Sequence, residues 1–373
     1  MPRARSEHTD NLILIAATTI LILSAQRIAE TLVPTTVDPA VAQDGIIARD
    51  LPQQGRGQLA PSPFSIPWAG WKDILWRAYQ ESNDDRLLAT AAGVVFFGLL
   101  AVFPAVTALV SSYGLFADPS TIGANLQTLA VMLPEGSFQI VQDQIARVLD
   151  KGSSALGWTF LFGLALALWS ANAGVKAVID ALNVVYDERE KRSFIGLNLV
   201  SLTFTIGGIA ALLLMVGAVV AFPLALNHVG LPSRSLFIVS LARWPLLFAA
   251  LLTALAILYR FGPSQRAARW EWLSVGTLAA ALLWIAGSAA LSWYLQNFGD
   301  YNATYGSLGA AIGLMMWMWM SAVIVLFGAE LNSEIEHQTA IDTTVGVPKP
   351  LGSRGATMAD TAGPAVPRLS KEH

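Results

Sequence analysis

The sequence predicts an all-α fold, a polytopic membrane helical bundle with six core transmembrane helices. Hydrophobic residues make up 54% of the 373 residues and charged residues only 13%, whereas a soluble domain carries about 25% charged residues. Six long stretches are free or almost free of charge, and each is long enough to cross a bilayer, which takes about 20 apolar residues. Short or moderate connections separate them, as is typical of neighbouring helices in a bundle.

The six apolar windows define the predicted spans. Only the fourth window contains a charged side chain, that of Arg243, and the helix of the third window is expected to end near Pro223 and Asn227. A charge inside hydrocarbon is costly, so these windows are the natural membrane segments. The windows are residues 87–117, 152–175, 193–233, 237–259, 272–299 and 301–329.

The distribution of Lys and Arg predicts the orientation of the bundle. Basic residues in short loops mark the cytoplasmic side. Three loops that fall on one side hold nine of them, against three on the other side, namely Arg147, Lys151 and Arg234. Both ends of the six-helix core are therefore expected in the cytoplasm. The nine are Lys72, Arg77, Arg86, Arg189, Lys191, Arg192, Arg260, Arg266 and Arg269.

Composition divides the chain into four segments. Residues 1–30 hold a short hydrophobic helix at 12–25, and whether it spans the membrane as a seventh helix stays open. Residues 31–70 are rich in Pro and Gly and predict a flexible linker. Residues 71–337 form the six-helix domain, and residues 338–373 predict a disordered cytoplasmic tail. Between the first two spans, residues 121–150 have amphipathic spacing that predicts two short helices on the outer membrane surface.

Polar side chains at the predicted cytoplasmic ends of spans two, four and six form a candidate site. Those of span two recur at helical spacing and share one face, on which Lys176 and Asp180 are placed to form a pair. One interpretation is a polar pathway or a site for anionic lipid headgroups. The alternatives are snorkelling of Lys176 to the interface and a salt-bridge network that fixes helix packing. The residues are Asn172, Lys176, Asp180, Asn183, Arg260, Glu330 and Asn332.

A second candidate is the outer loop before span six, which is rich in hydrogen-bonding side chains. It is interpreted either as a re-entrant turn or substrate vestibule, or as a tight turn in which Asn302 or Thr304 caps span six. In the first span, Pro104 predicts a helix kink. The outer-loop motif consists of Asn297, Asp300, Tyr301, Asn302, Thr304, Tyr305 and Gly306.

Several kinds of chemistry are not encoded. The chain has no cysteine, and it lacks the motifs of phosphate-binding loops, zinc proteases, serine hydrolases and EF-hands. Its four histidines are far apart and its net charge is only −3. We therefore expect no cofactor, no metal, no nucleic-acid partner and no enzymatic activity, because a metal-dependent nuclease needs clustered metal ligands and a basic groove.

Several ordered motifs resemble the YihY/BrkB family of membrane proteins and together cover about residues 70–337. They are FFGLLAVFP at 96–104, LWSAN at 168–172, ALN at 181–183, EKRSF at 190–194, YRFGP at 259–263, NF at 297–298, YNATYGSLG at 301–309 and GAELN at 328–332. The resemblance implies a bacterial inner-membrane protein with six helices and no settled biochemical activity. Some members carried a ribonuclease BN name, and BrkB relates to serum resistance in a pathogen.

Three functional hypotheses follow. The first is a transporter or flippase-like factor that handles phospholipid or another amphipathic substrate. The second is a structural or envelope-assembly protein of the membrane without transport, and the third and least favoured is a ribonuclease. The expected partner is the lipid bilayer, and a homo-oligomer stays an open alternative.

Overall fold

A computed structural model describes residues 55–116, 153–216, 233–298 and 309–365. Within these ranges the chain is helical, apart from turns and one isolated β-bridge between Ala268 and Thr344. Two 3-10 helices, Pro63–Ser65 and Trp270–Leu273, accompany the α-helices. The α-helices are α1 (Trp68–Asp84), α2 (Leu87–Phe116), α3 (Ser153–Val185), α4 (Phe194–Val216), α5 (Ser233–Phe261), α6 (Ser274–Phe298), α7 (Gly309–His337) and α8 (Thr357–Asp360).

The apolar helices confirm the predicted polytopic bundle. Five stretches are long and apolar enough to cross a membrane, and α2 begins with a shorter apolar stretch, Leu87–Ala101. Large hydrophobic side chains on these helices point outwards, for example Phe162, Leu214 and Trp244. Such surfaces are stable only against hydrocarbon. The five stretches are Leu161–Val185, Phe194–Ala211, Trp244–Phe261, Trp270–Leu295 and Ala311–His337.

Two helices extend beyond their predicted spans. α3 continues to Val185 rather than ending at residue 175, and α7 continues to His337 rather than ending at residue 329. The polar residues in these extra turns do not end the helices because neighbouring elements bury many of them, including Asn183 and Asn332. The bundle therefore carries a polar layer at this end that a charge-free window cannot predict.

Glycines set the distance between α6 and α7. A Cβ atom on Gly276 would collide with the carbonyl oxygen of Gly328 and the side chain of Asn332. A Cβ atom on Gly328 would lie 2.5 Å from the Cβ of Ala280. Small residues allow membrane helices to approach closely, so these two glycines bring α7 against the start of α6.

The structure describes parts of the predicted linker and of the predicted tail. Residues 55–67 and 338–365, which we call the cap, pack against one end of the bundle. Ala60 and Ile66 lie in a hydrophobic cluster with Ile74 of α1 and Ile335 of α7. The backbone N–H of Ala340 donates to the carbonyl of Gln58 at 2.8 Å. Residues 1–54 and 366–373 lie outside the described residues, and the four segment boundaries stay predictions.

Charged side chains, rather than a large apolar core, order the tail part of the cap. The buried guanidinium of Arg354 donates to the carbonyl oxygens of Ala340 and Ala359, each at 2.5 Å. The carboxylate of Asp342 accepts the backbone N–H groups of Thr344 at 2.9 Å and Lys349 at 2.8 Å. A composition rich in Pro and Gly predicts disorder because it offers little apolar burial, and these polar contacts replace that burial.

The segments that carry the nine predicted cytoplasmic cations converge at the cap end. Arg77 of α1 pairs with Glu334 of α7, and Arg192 donates to the carbonyl of Gly262 at 2.8 Å. The backbone N–H of Arg269 donates to Thr343 of the cap at 2.8 Å. The basic loops therefore do share one end of the bundle.

Candidate functional site

The candidate site lies at the cap end of the bundle, among buried side chains of α3, α5 and α7. Leu182, Tyr186 and Tyr259 are fully or almost fully buried there and belong to the main hydrophobic cluster. Glu330 and Asn332 have no exposed surface. With Asn183, which is also buried, three of the seven predicted polar residues are enclosed by the packed helices.

Glu330 is a buried carboxyl group that lacks a hydrogen-bond partner. Neither of its carboxyl oxygens accepts a hydrogen bond from a described residue. The charges that act on it most strongly are those of other acidic side chains, Glu334, Asp85 and Glu81. Burying an isolated ionised carboxylate costs far more than burying a neutral group. The site therefore suits a proton, a cation or a hydrogen-bond donor that no described residue supplies.

Four carboxylates outside the spans act electrostatically on one another, three of them also on Glu330, and we call the four the acidic edge. They are Glu81, Asp84, Asp85 and Asp187. Burial raises the pKa of Asp85 from 3.8 to about 6, and repulsion from Glu81, Asp187 and Asp84 adds to the rise. Burial also raises the pKa of Glu81. None of the four forms an ion pair with a Lys or Arg of the described residues, so these carboxylates repel one another without a paired cation.

Asn332 and Tyr186 add two further unpartnered polar groups. The side-chain oxygen of Asn332 accepts the backbone N–H of Gly276 at 2.8 Å, which fixes α7 to the start of α6. The Nδ2 group of Asn332 and the hydroxyl of Tyr186 have no hydrogen-bond partner among the described residues. Buried polar groups are nearly always hydrogen-bonded in proteins, so these atoms extend the incomplete polar environment that Glu330 begins.

Asn183 has a structural role instead. Its side-chain oxygen accepts the backbone N–H of Ser264 at 2.7 Å, and its Nδ2 donates to Glu190 at 3.1 Å. Glu190 in turn accepts hydrogen bonds from Arg192 at 2.7 and 2.8 Å, and these bonds lower the pKa of Glu190 from 4.5 to about 2. This fully paired group joins the loop after α3 to the loop after α5.

The predicted Lys176–Asp180 pair does not form. Lys176 instead donates to the side-chain oxygen of Asn198 on α4 at 2.7 Å, and its Nζ lies 6.0 Å from the centre of the Phe194 ring. Asp180 is exposed, because the face shared by these residues turns partly away from the bundle interior. Asn172 is half-buried, and its side-chain oxygen has no hydrogen-bond partner.

Arg260 is held by aromatic rings rather than by a carboxylate. Its guanidinium lies 4.2 Å from the centre of the Trp270 ring and 5.4 Å from that of Phe261. The Nε and Nη1 groups have no hydrogen-bond partner among the described residues. No ion pair between described residues joins any two of Arg260, Lys176, Asp180 and Glu330. The predicted salt-bridge network is therefore wrong.

Most of the outer-loop motif lies outside the described residues. This applies to Asp300, Tyr301, Asn302, Thr304, Tyr305 and Gly306. Asn297 is an exposed residue near the end of α6, where its Nδ2 donates to the carbonyl of Trp293 at 2.8 Å. Pro104 lies inside α2, and the helices predicted over 121–150 are outside the described residues.

The sequence analysis missed the ion pair that closes this end of the bundle. Arg77 of α1 donates to the carboxylate of Glu334, to the side chain of Gln338 at 2.8 Å and to the carbonyl of Pro364 at 2.9 Å. Arg77 was interpreted only as a loop cation. The signal that could have found it is the helical spacing of Glu330, Glu334 and Gln338, which continues one face of span six past its predicted end.

The comparison with known families decides which group of proteins this chain is part of. A family model described as virulence factor BrkB matches residues 78–349. The chain belongs to the virulence factor BrkB family. The resemblance found in the sequence motifs is confirmed, and the matched region includes every described helix from the end of α1 to the end of α7.

Relatives in the BrkB family carry membrane or ribonuclease-like names. The chain is 30% identical over 247 residues to the ribonuclease-like protein YfkH of Bacillus subtilis, covering 65% of this chain and 88% of the relative. It is 26% identical over 265 residues to the UPF0761 membrane protein VV0203 of Vibrio vulnificus, covering 68% and 80%. A UPF0761 membrane protein of Aliivibrio fischeri is 25% identical over 274 residues, covering 71% and 84%. No solved structure matches the chain.

The described residues contain no group of three His, Cys, Asp or Glu side chains arranged to hold a metal ion. The acidic edge and Glu330 therefore do not form a metal-coordination shell.

Proposed function

We propose that this BrkB-family membrane protein is a transporter or flippase-like factor for a phospholipid or another amphipathic molecule. We place it in the bacterial inner membrane with both ends of the core in the cytoplasm, and we propose that it is not an enzyme. The nine-to-three distribution of basic residues supports the orientation. The absence of nuclease motifs from the sequence supports the last statement.

The observation that carries the proposal is the unpartnered carboxyl group of Glu330. A scaffold protein gains nothing from burying a carboxylate without a cation, because that burial lowers stability. A protein that binds a polar or cationic group at this position gains affinity from the same arrangement. An amphipathic molecule such as phosphatidylethanolamine combines apolar chains with an ammonium group, and the ammonium group complements both Glu330 and the acidic edge.

A second candidate, a structural membrane protein, is favoured by a different observation. Arg77, Glu334 and Gln338 form a saturated buried network between α1, α7 and the cap. Such networks fix a single arrangement of helices. In this alternative the polar groups only hold the bundle, and Glu330 has no ligand.

Lipid translocation in energised membrane vesicles tests the proposal. Right-side-out vesicles containing the full chain, fed with a respiratory substrate, would be loaded with fluorescent phosphatidylethanolamine, and its transfer between leaflets followed with a membrane-impermeant quencher. We expect faster transfer than in vesicles without the protein, and loss of that gain in Glu330→Gln. Asp180→Asn is the matched control, because Asp180 is an exposed acid on a neighbouring helix.

Two outcomes would contradict this proposal. Equal transfer with and without the wild-type protein would remove the lipid-handling function. Equal transfer by the wild-type protein and a well-folded Glu330→Gln variant would remove Glu330 from the site. Recovery of each variant as a single peak in detergent chromatography confirms that the comparison is between folded proteins.

A further inference from the structure

α1 has one buried face that fixes its orientation on the bundle. Gly70, Asp73, Ile74, Arg77 and Ala78 are buried against the cap and α7. Asp73 accepts hydrogen bonds from Arg56 at 2.6 and 2.7 Å. The Arg77–Glu334 pair joins the same face to the last turns of α7. Because charged pairs as well as apolar contacts hold this face, the opposite face of α1 has a fixed direction.

The opposite face of α1, together with Phe64 of the preceding 3-10 helix, carries large aromatic and aliphatic side chains, which we call the aromatic face. Soluble monomeric proteins rarely expose so many large hydrophobic side chains in one patch. Their spacing follows one side of a helix, with Lys72 in the middle of the patch. The aromatic face consists of Phe64 (79% exposed), Trp68 (67%), Leu75 (47%), Trp76 (45%) and Tyr79 (63%).

We propose that α1 is an interfacial helix whose aromatic face is embedded in the bilayer at the cap end of the bundle. α1 leads directly into the first apolar helix of the bundle, because α1 ends at Asp84 and α2 begins at Leu87. The first outward residue of α2, Leu88, is also exposed. Trp and Tyr are the residues enriched at membrane–water interfaces.

Lys72 fits the same position. Its ammonium group lies 5.9 Å from the centre of the Trp68 ring, so its aliphatic stem runs beside the aromatic face while the charge stays at the surface. Long basic side chains near an interface extend towards the headgroups in this way. An interfacial helix with Lys on its exposed side binds anionic lipid in addition to burying apolar area. The chemistry therefore favours a membrane containing phosphatidylglycerol.

Site-directed spin labelling tests this proposal on the full chain without background, because the protein has no native cysteine. Leu75→Cys and Tyr79→Cys place labels on the aromatic face. Asp84→Cys is the matched control, because Asp84 is exposed and lies about 180° around the helix from Leu75 and about 140° from Tyr79. Each variant would be reconstituted in nanodiscs containing three parts phosphatidylethanolamine and one part phosphatidylglycerol, with one protein per disc.

Accessibility to oxygen and to a water-soluble nickel complex separates the outcomes. We expect the oxygen-to-nickel accessibility ratio at positions 75 and 79 to be several-fold higher than at position 84. Equal nickel accessibility at all three positions would overturn the proposal and leave the aromatic face for a protein partner absent from the discs. Nickel protection that occurs only in discs with two copies would also overturn it, because the occupant would then be a second copy. Two independent positions keep the test valid if one variant fails to fold.

Discussion

Glu330 and Glu334 lie one helical turn apart on α7, and both are buried, yet their surroundings are opposite. Glu334 accepts a hydrogen bond from the guanidinium of Arg77 and has His337 Nδ1 within 3.7 Å. Glu330 has no hydrogen-bond partner, and its strongest electrostatic neighbours are carboxylates. Burial alone therefore does not indicate the role of a carboxyl group in this bundle, whereas the presence or absence of a cation does.

The same difference separates two regions at the cap end. In the paired region, Asp73, Glu190 and Glu334 each contact an arginine, and the contact between Arg77 and Glu334 joins two segments distant in sequence. In the unpaired region, which consists of Glu330 and the acidic edge, carboxylates face one another. The paired region holds the end of the bundle together, and the unpaired region carries the charge that a ligand could neutralise.

The largest expected effect comes from breaking the paired region. Glu334→Met leaves the guanidinium of Arg77 buried without its carboxylate, and removing one partner of a buried ion pair costs about 3–5 kcal/mol. Thermal unfolding in detergent should show a large loss of stability. Adding Arg77→Met should recover much of that loss, because the double variant leaves no unpaired charge.

Glu271→Gln is the control for this prediction. The Oε1 atom of Glu271 lies 3.7 Å from the Nη1 atom of Arg269, and both side chains are about a third exposed. Such surface pairs contribute about 0–1 kcal/mol, so this variant should unfold close to the wild type. A Glu334→Met variant as stable as Glu271→Gln would show that the Arg77 pair does not hold the bundle.

The next largest effect is a gain in stability rather than a loss. Glu330→Met replaces an unpartnered carboxyl group with an apolar side chain of similar length, so the free energy of unfolding should rise by about 1–3 kcal/mol, the usual penalty of an unsatisfied buried polar group. Denaturant unfolding of Glu330→Met beside Glu334→Met measures both signs in one experiment. A loss of stability in Glu330→Met would mean that this carboxyl group has a stabilising partner after all.

The helices of the bundle could be predicted from the sequence because contact with lipid chains requires long stretches without charged residues. Long charge-free windows located α2 to α7, and Lys and Arg counts predicted which loops lie together. α3 and α7 extend beyond their charge-free windows because polar residues that end such a window, among them Asn183 and Glu330, are buried in the folded protein. Their burial depends on α1 and the cap, which are distant in sequence.

The candidate site was predicted only in part, and the cap was missed. Glu330 and Asn332 were identified from their place at the end of an apolar window, but their neighbours Asp85 and Asp187 come from the ends of other helices. The cap depends on Arg354 and Asp342, which bind backbone groups. Such contacts leave no signal in the composition or in the spacing of hydrophobic residues. Single charged residues in a Pro- and Gly-rich tail are equally typical of a disordered segment.

A smaller effect concerns the acidic edge and pH. The pKa of Asp85 is raised from 3.8 to about 6 by burial and by neighbouring carboxylates, so the folded protein binds this proton more tightly than the unfolded chain does. The stabilisation is complete below pH 3.8 and is lost as the pH rises through 6. Asp85→Asn should therefore raise the melting temperature at pH 8 relative to the wild type and change it least near pH 4. An equal shift at both pH values would contradict this assignment.

The smallest effect runs in the opposite direction and comes from the paired region. Hydrogen bonds from Arg192 lower the pKa of Glu190 from 4.5 to about 2, so its contribution is present above pH 4.5 and is lost as the pH falls towards 2. Glu190→Gln should lower the melting temperature slightly at pH 7, and the difference from the wild type should shrink between pH 4.5 and 2.5. Asp85 and Glu190 thus predict pH dependences of opposite slope within one end of the bundle. If both variants responded to pH with the same sign, the division into paired and unpaired carboxylates would be wrong, because only the arginine distinguishes the two electrostatic environments.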